Sequence, residues 1–161
     1  MKRKADMFAE LGDEIRAFQT AVDAFDEAAA ARLELNRTDL RCLDILGAAG
    51  RLTAGQIADR MRMSTGAVTT MLDRLEQREL ARRTRDDRDR RRVHVELTRE
   101  AQERIAAVYD DLIRGDAIRR ASTYTIDELR LIIRFLRDSR ATYERALDEL
   151  TQRPNAGRKP S

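Results

Sequence analysis

Apolar residues recur along this chain at more than one period, and the changes of period divide it. Phe8, Leu11, Ile15, Phe18, Val22 and Phe25 follow one another at spacings of three and four through a polar, alanine-rich stretch. That spacing predicts a long helix over about residues 6–31 with a narrow a/d seam. A second seam lies at the other end. Leu129, Leu136, Tyr143 and Leu150 repeat every seven residues, with Ile126, Ile133 and Leu147 on the companion position and Arg140 interrupting that row. Thr125 and Glu128 supply a capping box where this helix begins. Each seam either packs on its own domain or meets a helix of another chain. After Leu150 the residues TQRPNAGRKPS show no periodicity and are expected to form a disordered tail.

Between the seams the elements are shorter. Thr38 and Asp39 are placed to cap a helix carrying Leu40, Leu43, Ile45 and Leu46, which ends in the region of Gly47 and Gly50. Thr53 and Gln56 form a second capping box, opening a short helix with Ile57, Ala58 and Met61. Ser64 caps a third, whose Val68, Leu72 and Leu75 make a buried stripe. Two short helices joined by Arg62, Met63 and Ser64 have the layout of a helix-turn-helix, with small Ala58 at the crossing and apolar Met63 in the turn. Many such turns carry glycine where Arg62 stands, so the backbone there either avoids positive φ or accepts a modest strain. The side of the third helix away from Val68 and Leu72 displays Thr65, Gly66, Thr69, Thr70, Asp73 and Arg74. Small hydroxyl side chains allow close approach to a duplex, and a helix N-terminus suits phosphate.

The period then switches to two. Leu80–Thr84 and Arg92–Leu97 are predicted to pair as antiparallel strands, with Val93, Val95 and Leu97 inward and Arg92, His94 and Glu96 outward. By this alternation His94 faces solvent, as a surface or phosphate contact and not a metal ligand. The hairpin RRTRDDRDRRR, residues 82–92, holds seven arginines and three aspartates. A hairpin directly after a recognition helix is a wing, and Arg85, Arg88, Arg90 and Arg91 are the candidates to reach a minor groove. At least one of Asp86, Asp87 and Asp89 is expected to pair with an arginine and fix the loop.

Composition narrows the function. The net charge of the 161 residues is only +3, and all but Lys2, Lys4 and Lys159 of the 32 basic residues are arginines, the side chain whose planar fork matches phosphate and guanine edges. Apolar residues at 42% and charged ones at 38% fit a helical protein with narrow buried stripes, one that buries more by pairing with a copy of itself. No stretch approaches membrane-spanning length, which implies a soluble, cytoplasmic protein without a membrane partner. One cysteine, Cys42, and one histidine, His94, leave no disulfide framework and too few ligands for a Cys/His zinc site, and no cofactor is expected. There is no activated-serine motif, phosphate-binding glycine loop or Cys/His dyad, so the chain does not read as an enzyme. Two alternatives remain. One is a thiol-based redox-sensing regulator acting through Cys42, although this residue sits among Leu40, Leu43 and Ile45 and has no resolving partner. The other is a helical interaction protein without DNA binding, which leaves the wing and the hydroxyl-lined helix without a role.

Over nearly its whole length the chain resembles the MarR family of bacterial winged-helix regulators. MSTGAVTTMLDRLE is similar to the family's recognition helix, and YTIDELRLIIRFL to its C-terminal dimerisation helix. LEQRELARRTRDDRDRRRVHVELTREAQE follows the family's run from helix end through a D-R-R wing at Asp89, Arg90 and Arg91 to a long helix. The resemblance implies a mainly α fold with a small β wing: a winged helix-turn-helix domain plus N- and C-terminal dimerisation helices. Residues 1–35 would be an N-terminal dimerisation helix, 36–98 the DNA-binding domain, 99–150 long dimerisation helices and 151–161 the tail. It implies that Asp89 and Arg91 brace the wing and that Ser64, Thr65, Gly66, Thr69, Thr70 and Arg74 read the major groove. It implies a homodimer, held through Phe8, Leu11, Ile15, Phe18, Leu136, Tyr143 and Leu147, on a pseudo-palindrome of about 16 to 20 base pairs of double-stranded DNA. Repression would be relieved by a small, aromatic or phenolic effector. Glu79 and Ala101 stand where the family commonly has glycine, in backbone expected to be helix-compatible.

Overall fold

Side-chain caps set the starts of most helices. In the computed structural model, which describes residues 3–86, 89 and 92–152, helix α1 (Lys4–Arg32) is followed by α2 (Arg37–Ala49), strand β1 (Arg51–Thr53), α3 (Ala54–Met61) and α4 (Thr65–Gln77). Strands β2 (Ala81–Arg85) and β3 (Val93–Leu97) come next, then α5 (Arg99–Tyr109), a π-helical turn (Asp110–Arg114), α6 (Gly115–Ala121) and α7 (Ile126–Gln152). The capping box on α3 is formed: Thr53 Oγ1 accepts from the Gln56 N–H at 3.3 Å, and Gln56 Oε1 accepts from the Thr53 N–H at 2.9 Å. Ser64 caps α4 through the Ala67 N–H, and Thr125 and Glu128 form the box that opens α7. Helix α2 departs from expectation. Its cap is Asn36, whose Oδ1 accepts from the Asp39 N–H at 2.8 Å, because the side chains of Thr38 and Asp39 already lie inside the helix and Asp39 is buried.

The chain forms two units, Met1–Asp111 and Leu112–Ser161. In the first, Leu43, Leu46, Ile57, Val68, Leu72, Leu75 and Val95 are sealed from solvent and join α2, α3, α4 and the sheet in one core. A smaller cluster seats the end of α1 on α2 and α5 through Ala29, Ala30, Leu33, Leu40 and Val108, with Phe25 edge-on to Tyr109 at 5.3 Å. The second unit contains α6 and α7. Helix α7 runs through Thr151 and Gln152, two residues farther than expected, and the rest of the expected tail, 153–161, lies outside the described residues.

The sheet has the order β1-β3-β2, antiparallel throughout. Strand β1 has only three residues and no alternation long enough to announce it, yet it places β3 in the centre, pairing Thr53 with His94 and Leu52 with Val95. On the other side of β3 the pairs are Ala81 with Leu97, Arg83 with Val95 and Thr84 with His94. Two expectations change as a result. His94 does not face open solvent: flanked by Thr53 and Thr84 and covered by Asp86, its side chain is only 16% exposed. Val93 is not sealed inward, because it lies beyond the reach of β1 and is 42% exposed.

Among the described residues three that are not glycine adopt positive φ: Glu34 at 56°, Arg62 at 54° and Glu79 at 57°. The helix-turn-helix therefore takes the strained alternative at Arg62, which lets the Met63 N–H reach the Ala58 carbonyl at 3.0 Å. Glu79 is not in helix-compatible backbone. It sits in the left-handed turn between α4 and β2, where a glycine would be unstrained. Ala101, buried inside α5, fits its helix without such strain.

Candidate nucleic-acid interface

Helix α4 divides by face. Val68, Met71, Leu72 and Leu75 point into the core, while Ser64, Thr65, Gly66, Thr69, Thr70, Asp73 and Arg74 are exposed. A Cβ added at Gly66 would meet nothing within 4 Å, so the absent side chain leaves the face low over the first turn. Thr69 donates its hydroxyl proton to the Thr65 carbonyl at 2.9 Å, and Thr70 donates to the Gly66 carbonyl at 3.2 Å. With those protons held by the helix, both oxygens present lone pairs outward and act as acceptors. Ser64 accepts from the Ala67 N–H and keeps its own proton available to donate, at the positive end of the helix.

Arg74 differs from these neighbours. Its Nε donates to Asp39 Oδ2 at 2.9 Å and its Nη2 to Asp39 Oδ1, a two-pronged pair with a carboxylate only 2% exposed. The Asn36 Nδ2 donates to the same carboxylate at 3.0 Å, and the Asp39 hydrogen bond holds the Arg74 proton more firmly than usual. A guanidinium fastened in this way mounts the helix on α2 and is not free to search base edges. The end of α4 is tied down as well, since Arg78 donates to the Glu34 and Leu33 carbonyls. A sequence signal for the Asp39 pair exists: Asp39 falls on the same stripe as Cys42, Leu43 and Leu46, where a carboxylate needs a cation.

The hairpin follows at once. Arg82 pairs across the sheet with Glu96 at 2.7 Å. Arg83 reaches back to Asp73 and Glu76 on α4. Arg85, at the outer end of β2, is exposed and makes no hydrogen bond or ion pair among the described residues. Beyond it Asp86 is the organiser. Its Oδ1 accepts from the Asp89 N–H at 3.0 Å, its Oδ2 lies 3.1 Å from His94 Nε2, and its own N–H donates to the Arg92 carbonyl at 3.0 Å. Asp89 meets Arg92 at 3.6 Å, so an aspartate of the loop does pair with an arginine. Arg88, Arg90 and Arg91, and with Arg91 the expected brace to Asp89, lie outside the described residues. Sequence reasoning missed Arg83 and the role of Asp86. The alternation puts Arg83 on the same side of β2 as the buried Ala81, and an arginine on that side, beside α4, implies a carboxylate partner there.

Cys42 lies in the core with no exposure, and burial, with Asp39 nearby, pushes its thiol up to about 12. A thiol held protonated and out of reach lacks what a peroxide sensor needs.

A helix-turn-helix whose second helix shows a flat hydroxyl-bearing face, followed by a three-stranded wing with arginines, defines a winged-helix DNA-binding domain. The MarR family model matches residues 35–93. Over 151 residues the chain is 34% identical to YcgE, an HTH-type transcriptional regulator of Bacillus subtilis (strain 168), covering 94% of this chain and 93% of that one. Among solved structures, a MarR family transcriptional regulator from Silicibacter pomeroyi DSS is 26% identical with a TM-score of 0.63, over 84% of this chain and 91% of that chain. Streptococcus pneumoniae FabT, solved in complex with DNA, shares the fold at 19% identity and a TM-score of 0.66, over 86% and 99% of the two chains. The chain belongs to the MarR family and is a DNA-binding transcriptional regulator. Its relatives are regulators and not enzymes, and membership removes the reading as an interaction protein without DNA binding. Among the described residues no helix is long and apolar enough to cross a membrane.

Proposed function

We propose that this regulator is a cytoplasmic repressor that binds a pseudo-palindromic operator as a homodimer and is released by a small aromatic or phenolic ligand. Ser64, Thr65, Gly66, Thr69 and Thr70 read the major groove, and Arg85 with Arg88, Arg90 and Arg91 enters the flanking minor groove. Arg74, which the sequence groups with the base readers, serves instead to hold the helix at its angle through Asp39. The dimer forms through the exposed seams, Phe8, Leu11, Ile15 and Phe18 in one unit and Leu136, Tyr143 and Leu147 in the other. The effector rests on family likeness alone.

The observation that carries this reading is the exposed face of α4: Ser64, Thr65, Gly66, Thr69 and Thr70 put no long charged side chain on it, next to a strand whose terminal Arg85 has no partner among the described residues. An ordinary solvated helix would spend that face on Glu and Lys. The outward acceptors of Thr69 and Thr70 favour bases that present amino donors in the major groove, cytosine N4 and adenine N6.

Selection of bound sequences from a random duplex pool tests the proposal. The expected product is an inverted repeat with half-site centres about ten base pairs apart, bound with a log affinity that falls linearly against log salt at a slope of roughly −5 or steeper. Failure to retain any duplex at about 50 mM salt would overturn it.

A further inference from the structure

Arg83 lies on β2 directly opposite the buried Val95, but its own side chain stays about a third exposed. Instead of packing there it extends to α4. Its Nη2 lies 2.6 Å from Asp73 Oδ1, its Nη1 meets Glu76 Oε2, and its backbone N–H donates to Glu76 Oε1 at 3.1 Å. Asp73 and Glu76 are three residues apart on one face of α4, an arrangement of like charges that costs energy unless a cation lies between them. One guanidinium and one peptide N–H meet both carboxylates, so the strand and the helix are locked in rotation as well as in distance.

Beyond the lock the support of the hairpin thins, since β1 pairs with β3 only as far as His94. At its base, Ala81 and Leu97 are in the core, but farther out Val93 is largely exposed and Arg85 lies in solvent. Without a fastening at Arg83 the outer end of β2 would be held to α4 by no ion pair among the described residues. We propose that Arg83 is the positioning residue that fixes the wing against the recognition helix, so that the two read DNA as one rigid head and the spacing between major-groove and minor-groove contacts in each half-site is specified. The inference rests on the assignment of α4 and the wing as the DNA-reading surface.

The test uses the full-length protein, the duplex it selects from a random pool, and the same duplex with one base pair inserted on each side between the half-site core and its flanking minor-groove segment. For the wild type the insertion is expected to weaken binding about tenfold or more, as a mismatched contact does. For Arg83→Ala the intact operator should bind more weakly while the insertion penalty falls to about threefold or less, because an unfastened wing can follow the shifted groove. Glu76→Gln, which keeps the acceptor for the Arg83 N–H but removes one charge, should lie between the two and carries the test if Arg83→Ala does not fold. The ratio is independent of how much protein is active, so a merely structural role for Arg83 leaves it unmoved. An undiminished penalty in both variants overturns the inference while leaving the DNA-reading assignment in place. A wild type that selects no duplex overturns both.

Discussion

Cys42 has no exposure to solvent, and its thiol is pushed from 9.0 up to about 12, first by burial and then by the charge of Asp39. A raised thiol pKa means that the fold favours the protonated form. The stabilisation is complete below the unfolded value of 9.0 and is lost as pH rises toward about 12. A thiol reagent should therefore label the native protein at least about a hundredfold more slowly than the urea-unfolded chain. The native rate should stay low from about pH 7 to 9, since thiolate is scarce there. Rapid native labelling that climbs over that range would restore the redox reading. Cys42 shows how residue-scale legibility works: its burial was visible from its apolar neighbours. Asp39 shares that stripe, which calls for a cation, but it reads locally as a helix cap, and the fold names the partner by bringing Arg74 to it from 35 positions away. Removing one partner of such a pair strands a charge, whereas the pair itself adds little, so its value lies in the angle it sets.

Elements that announce themselves through side-chain chemistry next to them in sequence were legible: the caps at Thr53, Ser64 and Thr125, the seam of α1, and the alternation of β3 at Val95 and Leu97, though not at Val93 and His94. Strand β1 was not, because three residues cannot display a period and its strand character comes from pairing with β3. The left-handed turn at Glu79 was half legible, as a position where relatives carry glycine, but its backbone was not. That turn is held by the bond from the Leu80 N–H to the Leu75 carbonyl at 2.9 Å and by the Thr98 hydroxyl donating to the Glu79 carbonyl at 2.6 Å, so the chain accepts the strain instead of relaxing. Glu79→Gly should relieve it. The expected gain is about 0.5–1 kcal/mol after the glycine's larger unfolded-state entropy is subtracted, or roughly 1–4 °C in Tm. Glu79→Ala, which keeps the Cβ and hence the strain, should gain nothing. Thermal melts in which the two variants coincide would show that φ of 57° costs this turn nothing.

At the scale of the whole molecule the accounting of apolar surface is unfinished. On α1, Phe8 is 78% and Phe18 66% exposed, and on α7 Leu136, Tyr143 and Leu150 are more than half exposed. Both rows follow the periods visible in the sequence, so the seams were legible; a spacing along one chain does not say what, if anything, packs against them. Monomeric proteins rarely keep long contiguous apolar rows in water, and rows with a seven-residue repeat fit the proposed homodimer, with helices related by a twofold axis. Phe18 is the sharpest probe, since a carboxylate in its place would have to be buried without a partner in the dimer and is harmless on a free helix. Phe18→Glu should raise the dimer dissociation constant by roughly a hundredfold or more, read by sedimentation across a concentration series. Because each half-site then binds alone, DNA affinity should fall with it while the melting transition of the winged domain changes little. If Phe18→Glu sediments as the wild type does at every concentration, the α1 seam is not the dimer contact. Sedimentation of the wild type as a monomer at tens of micromolar would remove the homodimer altogether, and with it the reason to expect an inverted repeat.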